Sequence, residues 1–362
     1  AGSGASSGSS GSSSGGGGSG SSSGAMPTSG AVAFSSDRVV LTGVRDVATP
    51  AVSQVITLHN GGQTSVQVTA LALSGANQAL FTISAPPALP ATMAPGADLP
   101  ITIDVTTSST VLPPRPADNL KDLGSTLLQA SLTATLSGGS ATASVYALIL
   151  IKAIWEPTLG QILTTLGYHL NVGRAQNNWN PNTGMNATTL PGIEPNTDEV
   201  AASQFVKAGP GNVTMSVVAR FSPVGVLPYG WYPPASPTNR HVVGTMSMMT
   251  DPQTSDKARM VYPPLAAGSA TTFDPGSGPF GIWIYSDQQT QKYATGTAAN
   301  GDYDFTQDAL NSPANVHRVK SYPLKDAAGT PVPHMYLVAV EEAGNGDYQD
   351  YVFVLGNVTA MP

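Results

Sequence analysis

Ten residues near the C-terminus, Glu341-Glu342-Ala343-Gly344-Asn345-Gly346-Asp347-Tyr348-Gln349-Asp350, hold four carboxylates and one Asn between two apolar runs. Carboxylates at that density repel one another, so the segment needs a cation, protons or full solvation. Ca2+ is the hard ion that takes about six to eight oxygens from a flexible loop, and Glu341, Glu342, Asn345, Asp347 and Asp350 are the ligands the spacing offers. The order is not that of an EF-hand, because it lacks the Asp-x-Asp-x-Asp-Gly run. The competing reading is an acidic hairpin loop that uses Asn345-Gly346 as its turn.

Asn300-Gly301-Asp302-Tyr303 repeats the Asn-Gly-Asp-Tyr tetrapeptide and is followed by Asp304 and Asp308. It reads as a turn chosen for positive φ, with a second ion loop as the alternative. Asp198-Glu199 is a third acidic pair, placed before an expected strand over Val200 to Val206, where neighbouring side chains face opposite ways. Aromatic rings in expected loops supply a different chemistry. Tyr229, Trp231 and Tyr232 lie in the Pro-flanked segment Pro228 to Pro234, and Trp179 lies in Asn177-Asn178-Trp179-Asn180. Flat rings beside Asn and Asp suit sugars, which offer C–H faces and hydroxyls; the alternative is that the rings cover the ends of a sandwich.

Catalytic patterns are sparse. The Gly-x-Ser-x-Gly matches, such as Gly4 to Gly8, all sit in low-complexity sequence with no strand before them and no helix after them. His59, His169, His241, His317 and His334 are scattered, without a His-Glu-x-x-His or His-x-His pair, and read as surface or strand residues. Glu341 and Glu342 are adjacent, so they point apart on a strand and do not flank a glycosidic bond. The expectation is a protein that is not an enzyme, with a glycan-acting hydrolase as the less favoured alternative.

The elements that must position these residues are short and β-branched. Val52 to Leu58, Ser65 to Leu73, Leu99 to Thr106, Thr126 to Leu136 and Ala141 to Ile151 alternate apolar with polar residues and end at turns such as Asn60-Gly61-Gly62. The longest apolar run, Val145 to Trp155, reads as a buried strand and is too short to span a membrane. Thr158 to Leu166 carries Leu159, Ile162, Leu163 and Leu166 at helical spacing, with Thr158 as N-cap and Gly167 past the C-terminus. Strands then return at Asn212 to Phe221, His241 to Met249, Phe280 to Tyr285, Asn315 to Leu324, His334 to Glu342 and Tyr351 to Val358. The long loops Gly173 to Asp198, Pro223 to Asn239 and Asp287 to Ser312 separate them, and loops of that length are usually functional or disordered.

Val55-Ile56-Thr57-Leu58-His59-Asn60-Gly61-Gly62, Val66 to Leu73, Ser74-Gly75-Ala76, Phe81-Thr82-Ile83 and Met93-Ala94-Pro95-Gly96, followed by the Leu99 to Val105 strand, resemble the abnormal-spindle/hydin-type immunoglobulin-like repeat over residues 36–150. The resemblance implies a spacer or interaction module; an insertion at Val111 to Gly124 departs from the pattern. Leu159-Gly160-Gln161-Ile162-Leu163, Pro228-Tyr229-Gly230-Trp231-Tyr232, Phe273-Asp274-Pro275-Gly276 and Asp347-Tyr348-Gln349-Asp350-Tyr351-Val352-Phe353-Val354 resemble a C-terminal module of uncharacterised exported bacterial proteins. Its calcium-associated ending implies ion binding and no settled activity.

Composition limits the partners. With 15 Lys+Arg against 22 Asp+Glu, a net charge of −7, there is no basic footprint for nucleic acid. The absence of Cys removes disulfides, thiolate metal sites and thiol nucleophiles. Residues 1–24 are ten Gly, twelve Ser and two Ala, a composition that reads as a flexible tether or a neutral linker. The expected architecture is all-β: a disordered tether over 1–30, an immunoglobulin-like sandwich over 31–152, and a larger antiparallel sandwich or jelly-roll-like domain with one short helix over 153–362. The expected role is an exported bacterial protein, extracellular or tethered at the cell surface, carrying a calcium-stabilised carbohydrate-binding or adhesion module. A structural subunit of an extracellular assembly, joined by self-association, is the alternative.

Overall fold

The computed structural model describes residues 32–49, 51–113, 125–150, 156–173, 179–180, 184–185, 196–248, 253, 257–286, 303–311, 317–342 and 348–362. The expected tether, the 114–124 part of the expected insertion, and the 287–302 part of the third long loop lie outside the described residues. The chain is an all-β sandwich protein with one α-helix among the described residues.

Nine strands form the first unit: β1 (Val32–Phe34), β2 (Arg38–Val44), β3 (Val52–Asn60), β4 (Val66–Ser74), β5 (Phe81–Ser84), β6 (Ala91–Met93), β7 (Asp98–Val105), β8 (Ser125–Leu136) and β9 (Gly139–Leu150). One sheet has the order β1-β3-β7-β5 and the facing sheet β2-β9-β8-β4-β6. β2 runs parallel to β9, and the other pairs are antiparallel. Alternation places the apolar residues inside. In β7, Ile101, Ile103 and Val105 point into the core while their neighbours face outward. They meet Ile56, Leu58, Leu128, Leu132 and Val145, a dry core in which each fully buried aliphatic side chain contributes about 1.5–3 kcal/mol.

Near its end β9 stops alternating: Val145 to Leu150 are all buried. Its second face is covered by α1 (Leu159–Leu166), which packs Ile162, Leu163 and Leu166 with Leu148. The helix starts at a capping box, with Gln161 N donating to the Thr158 hydroxyl at 3.1 Å and Thr158 N donating to Gln161 Oε1 at 3.0 Å. Gly167 ends it in the left-handed region at φ 75°, where a side chain would also collide with the Arg38 guanidinium.

The second unit begins with a two-residue hairpin, β10 (Trp179–Asn180) against β11 (Gly184–Met185). It continues through β12 (Gln204–Lys207), β13 (Val213–Pro223), β14 (Leu227–Tyr232), β15 (His241–Met246), β16 (Lys257–Val261), β17 (Thr272–Phe273), β18 (Gly281–Tyr285), β19 (Tyr303–Phe305), β20 (Val319–Lys325), β21 (Pro331–Val340), β22 (Tyr351–Gly356) and β23 (Val358–Met361). β16-β13-β22-β21-β20, with β17 beside β13, form a six-stranded sheet; β15-β14-β18-β19 form a four-stranded sheet, and β12 pairs β23.

The six-stranded sheet is buried on both faces. One face packs Met215, Val338, Phe353 and Leu355 against Tyr229, Ile282 and Ile284 of the four-stranded sheet. The other packs Phe221, Leu337, Val352 and Val354 against α1 and Leu148. The seam between the units is also hydrogen-bonded: Arg38 Nη1 donates to Thr165 O (3.1 Å), Gln161 Nε2 to Ser125 O (3.0 Å) and Gln253 Nε2 to Val47 O (2.7 Å). Both outer edges of the four-stranded sheet are capped, which blunts them against strand addition. Segment 264–270 bonds along β15 through Ala266 N to Thr245 O (2.8 Å) and Ala270 N to Val243 O (2.9 Å). On β19 the Asn311 side chain bonds both the N–H and the C=O of Phe305 at 2.8 Å.

Candidate functional site

The strands of the six-stranded sheet carry an ionic cluster at one end. Val319, Val340, Tyr351 and Arg220 share a rung. The next residues outward are Arg318, Glu341, Asp350 and Phe221, held in line by Glu341 N to Arg318 O (2.9 Å) and Phe221 N to Asp350 O (3.0 Å). Glu341, Glu342 and Asp350 are at most 3% exposed, so their charges are met by protein rather than water. Arg318 Nη1 donates to the carbonyls of Glu341 (3.1 Å) and Glu342 (2.6 Å), and its Nε lies 3.9 Å from the buried Asp304 carboxylate on β19. Glu342 N donates to Asp350 Oδ2 (2.7 Å), Tyr351 OH to Glu342 Oε2, and Tyr348 N to Glu341 Oε2 (3.3 Å). Burial, followed by the Glu342 and Asp350 charges, holds the Tyr351 hydroxyl well above the usual tyrosine range.

Glu341 therefore serves Tyr348, which packs in the α1-side core, while Glu342 serves Tyr351 in the core between the sheets. The two carboxylates bond different partners, Glu341 the Tyr348 amide and Glu342 the Tyr351 hydroxyl. Asn345 and Asp347, the other expected calcium ligands, lie outside the described residues. Among the described residues, no group of three or more His, Asp or Glu side chains is arranged to hold a metal.

Toward solvent the cluster continues through histidine. His317 Nε2 lies 2.7 Å from Glu199 Oε1, and His317 Nδ1 lies 3.1 Å from Asp308 Oδ2 in the one-turn 3-10 helix Asp308–Leu310. Lys320 Nζ is 3.6 Å from Glu199 Oε2 and 4.1 Å above the Tyr348 ring, whose hydroxyl donates to His317 O at 2.6 Å. The Glu199 hydrogen bond lifts His317 above the ordinary histidine value against the pull of partial burial, and Asp308 adds to it. Burial pushes Glu199 upward, but bonds to His317 and Lys320 outweigh it and hold the carboxyl below its usual range. Asp198 behaves alike: burial raises it, while Lys325 Nζ at 2.7 Å from each oxygen and the Asn171 amide bring it down.

Asp198 and Glu199 thus serve different partners. The strand expected to follow them is shorter, with β12 starting at Gln204 and only a bridge from Val200 to Ser321 before it. The Val172 to Asn196 bridge and the Asn171 bonds to Asp198 tie residues 171–172 to 196–198, and the Asn196 amide bonds Glu199.

The loop reading of Pro228 to Pro234 is corrected: Leu227–Tyr232 is β14, the second strand of the four-stranded sheet. Gly230 marks a register shift against β15, and a Cβ there would stand 1.9 Å from His241 O, so the glycine permits the strand rather than breaking it. Tyr229 and Tyr232 are fully buried, each pushed up to about 12 by burial, and offer no open ring face. Tyr229 faces the inter-sheet core. Tyr232 packs on the outer side with Trp283 and Phe305, its ring lying over Gly281 where a Cβ would come within 2.3 Å. Trp231 is half-buried, stacked on His241 at 4.1 Å and 8° and near-parallel to Phe273 at 5.9 Å. Trp179 is the first residue of β10, paired with Met185 of β11. The residues sequence reasoning missed are His317, Arg318 and Lys320. Their signal is charge at the start of an apolar strand, which means nothing until partners from elsewhere in the chain are known.

No family model and no curated protein sequence matches the chain. Among solved structures it is similar to the secreted serine protease VesC from Vibrio cholerae over 92% of this chain and 51% of that one, at 11% identity and a TM-score of 0.25. It is similar to the Vibrio cholerae VesB protease over 33% of this chain and 31% of that one, at 15% identity and a TM-score of 0.22. The periplasmic chaperone SfaE is similar over 71% of this chain and 93% of that one, at 11% identity and a TM-score of 0.26. The chain spans about a third and about half of the two protease chains, and scores this low carry nothing about activity. No helix among the described residues is long and apolar enough to cross a membrane.

Proposed function

We propose that this chain is a non-catalytic binding protein displayed outside the cell, in which a rigid two-unit β frame offers segments at the charged end of the second unit to a carbohydrate ligand. One observation carries the reading. Asn196, His317, Glu342 and Tyr348, four of the six residues that flank the 174–195, 312–316 and 343–347 segments, belong to one bonded cluster with Glu199, Glu341 and Arg318. Segments that leave a fixed frame from one place are where binding residues concentrate. These contain Trp179, Asn177, Asn178, Asn345 and Asp347, an aromatic face among amides and a carboxylate. With Tyr229 and Tyr232 in cores, Trp179 is the aromatic assigned to the ligand. Screening the wild-type chain on a glycan array, with Trp179→Ala and Trp231→Ala beside it, tests this. Trp179→Ala abolishes the signal, whereas Trp231→Ala lowers stability and leaves affinity intact. A wild type that binds no glycan removes the carbohydrate class. Melting the same preparation in EDTA and in millimolar Ca2+ tests the calcium expectation, since an ion bound only by the folded state raises Tm by mass action.

A further inference from the structure

We propose that His317 is a proton-operated cross-link, which fastens the 196–200 segment to the Asp308–Leu310 turn while both ring nitrogens carry hydrogen and releases the turn when one proton is lost. The geometry is the argument. Both nitrogens face carboxylate oxygens, Nε2 toward Glu199 at 2.7 Å and Nδ1 toward Asp308 at 3.1 and 3.2 Å. An ionised carboxylate only accepts hydrogen bonds, so both contacts are made together only by imidazolium. A neutral ring has one N–H and turns a lone pair toward the other carboxylate.

The groups around the ring decide which contact is kept. Glu199 has the shorter bond and also holds Lys320 and Asn196 on its second oxygen, so the neutral ring stays with Glu199 and Asp308 is let go. From the other elements, Tyr348 donates to the His317 carbonyl, with Glu341 and Arg318 as the charges around that tyrosine, and Tyr322 accepts from Asn196. The Asp198–Lys325 pair stands one residue away from Glu199. The imidazole is 45% exposed, so its proton exchanges with solvent without unfolding. Since folding raises the value of His317, its contribution is complete below the ordinary histidine value of ~6.5 and disappears as pH climbs through the raised value. Glu199, held below its usual range, remains ionised throughout that window. None of this depends on what the protein binds.

The test is an NMR titration of His317 in the full chain, combined with amide exchange of residues 303–311 measured between about pH 5 and 9. The expected midpoint lies above ~6.5. After correction for base catalysis, exchange in 303–311 rises roughly three- to ten-fold through it, a range reduced for the solvent-screened ring. Glu199→Gln lowers the midpoint, and Asp308→Asn leaves exchange in the turn fast and independent of pH. A wild-type midpoint at or below ~6.5, or corrected exchange that stays flat across it, overturns the proposal. Both are read on the wild type, so the outcome stands even if a variant fails to fold.

Discussion

The cores of the two units solve burial differently. Between the sheets of the first unit the buried side chains are Ile, Leu, Val, Ala, Phe and Met, and its buried polar residues stand at strand ends: Asn60 closes β3, Thr107 follows β7 and Ser125 opens β8. The second unit has cores of similar make-up but closes one end with Arg220, Arg318, Asp304, Glu341, Glu342 and Asp350, all at most 4% exposed. Apolar burial is roughly proportional to area and indifferent to pH. A buried charge costs several kcal/mol to desolvate, and its partner only offsets that cost when the geometry is intact. The first unit should therefore lose stability in graded steps when trimmed, and the second abruptly when one charge loses its counterpart.

The largest effect follows from that asymmetry. Arg318→Met keeps an unbranched apolar stem but strips the guanidinium from two carbonyls and from the Asp304 carboxylate. The expected loss is about 3–5 kcal/mol in urea unfolding, the range for breaking a buried pair on one side. A loss below about 1 kcal/mol would mean that water already serves this end, and the contrast between the units would collapse.

A smaller effect separates the cores from the seam. Leu132 is buried between the sheets of the first unit, whereas Leu148 is buried against α1 and the six-stranded sheet. Truncation of either to Ala is expected to cost about 2–4 kcal/mol through lost transfer energy and a residual cavity. The calorimetric trace distinguishes them. Leu132→Ala lowers a single transition, while Leu148→Ala also weakens the coupling of the units and splits the transition in two. Identical single transitions for both would show that the seam does not couple folding.

Much of the frame was legible because its causes are local. The Thr158 and Gly167 signals bracket α1 within ten positions. The change in β9 from alternation to a continuous apolar run announces a strand with both faces covered. β14 was not legible, because Pro228 and Gly230 read as breakers until β15 and β18 supply the partners on either side. The site was legible only in part. Four acids crowded near the C-terminus called for a cation, whereas the guanidinium of Arg318 reaches the Glu342 main-chain carbonyl from 24 positions away, a contact no acidic pattern announces. Glu199 finds His317 at a separation of 118. Such pairings are set by topology, and no short-range pattern encodes them.

The smallest effect sharpens where the seam gets its strength. Thr158→Ala removes the hydroxyl that accepts from Gln161 N and leaves the rest of the box, for an expected cost of about 1 kcal/mol. Gln161 does more. Its Oε1 accepts from Thr158 N and from Ser125 Oγ at 2.6 Å, and its Nε2 donates to Ser125 O, so one side chain joins the helix start to β8. Gln161→Ala is therefore expected to cost more than Thr158→Ala by about one further hydrogen bond, roughly 0.5–1.5 kcal/mol. Urea midpoints at constant slope decide it. Equal losses would place the coupling of the units in the apolar contacts around Leu148 alone, because the Gln161 bonds to Ser125 would then add nothing beyond capping.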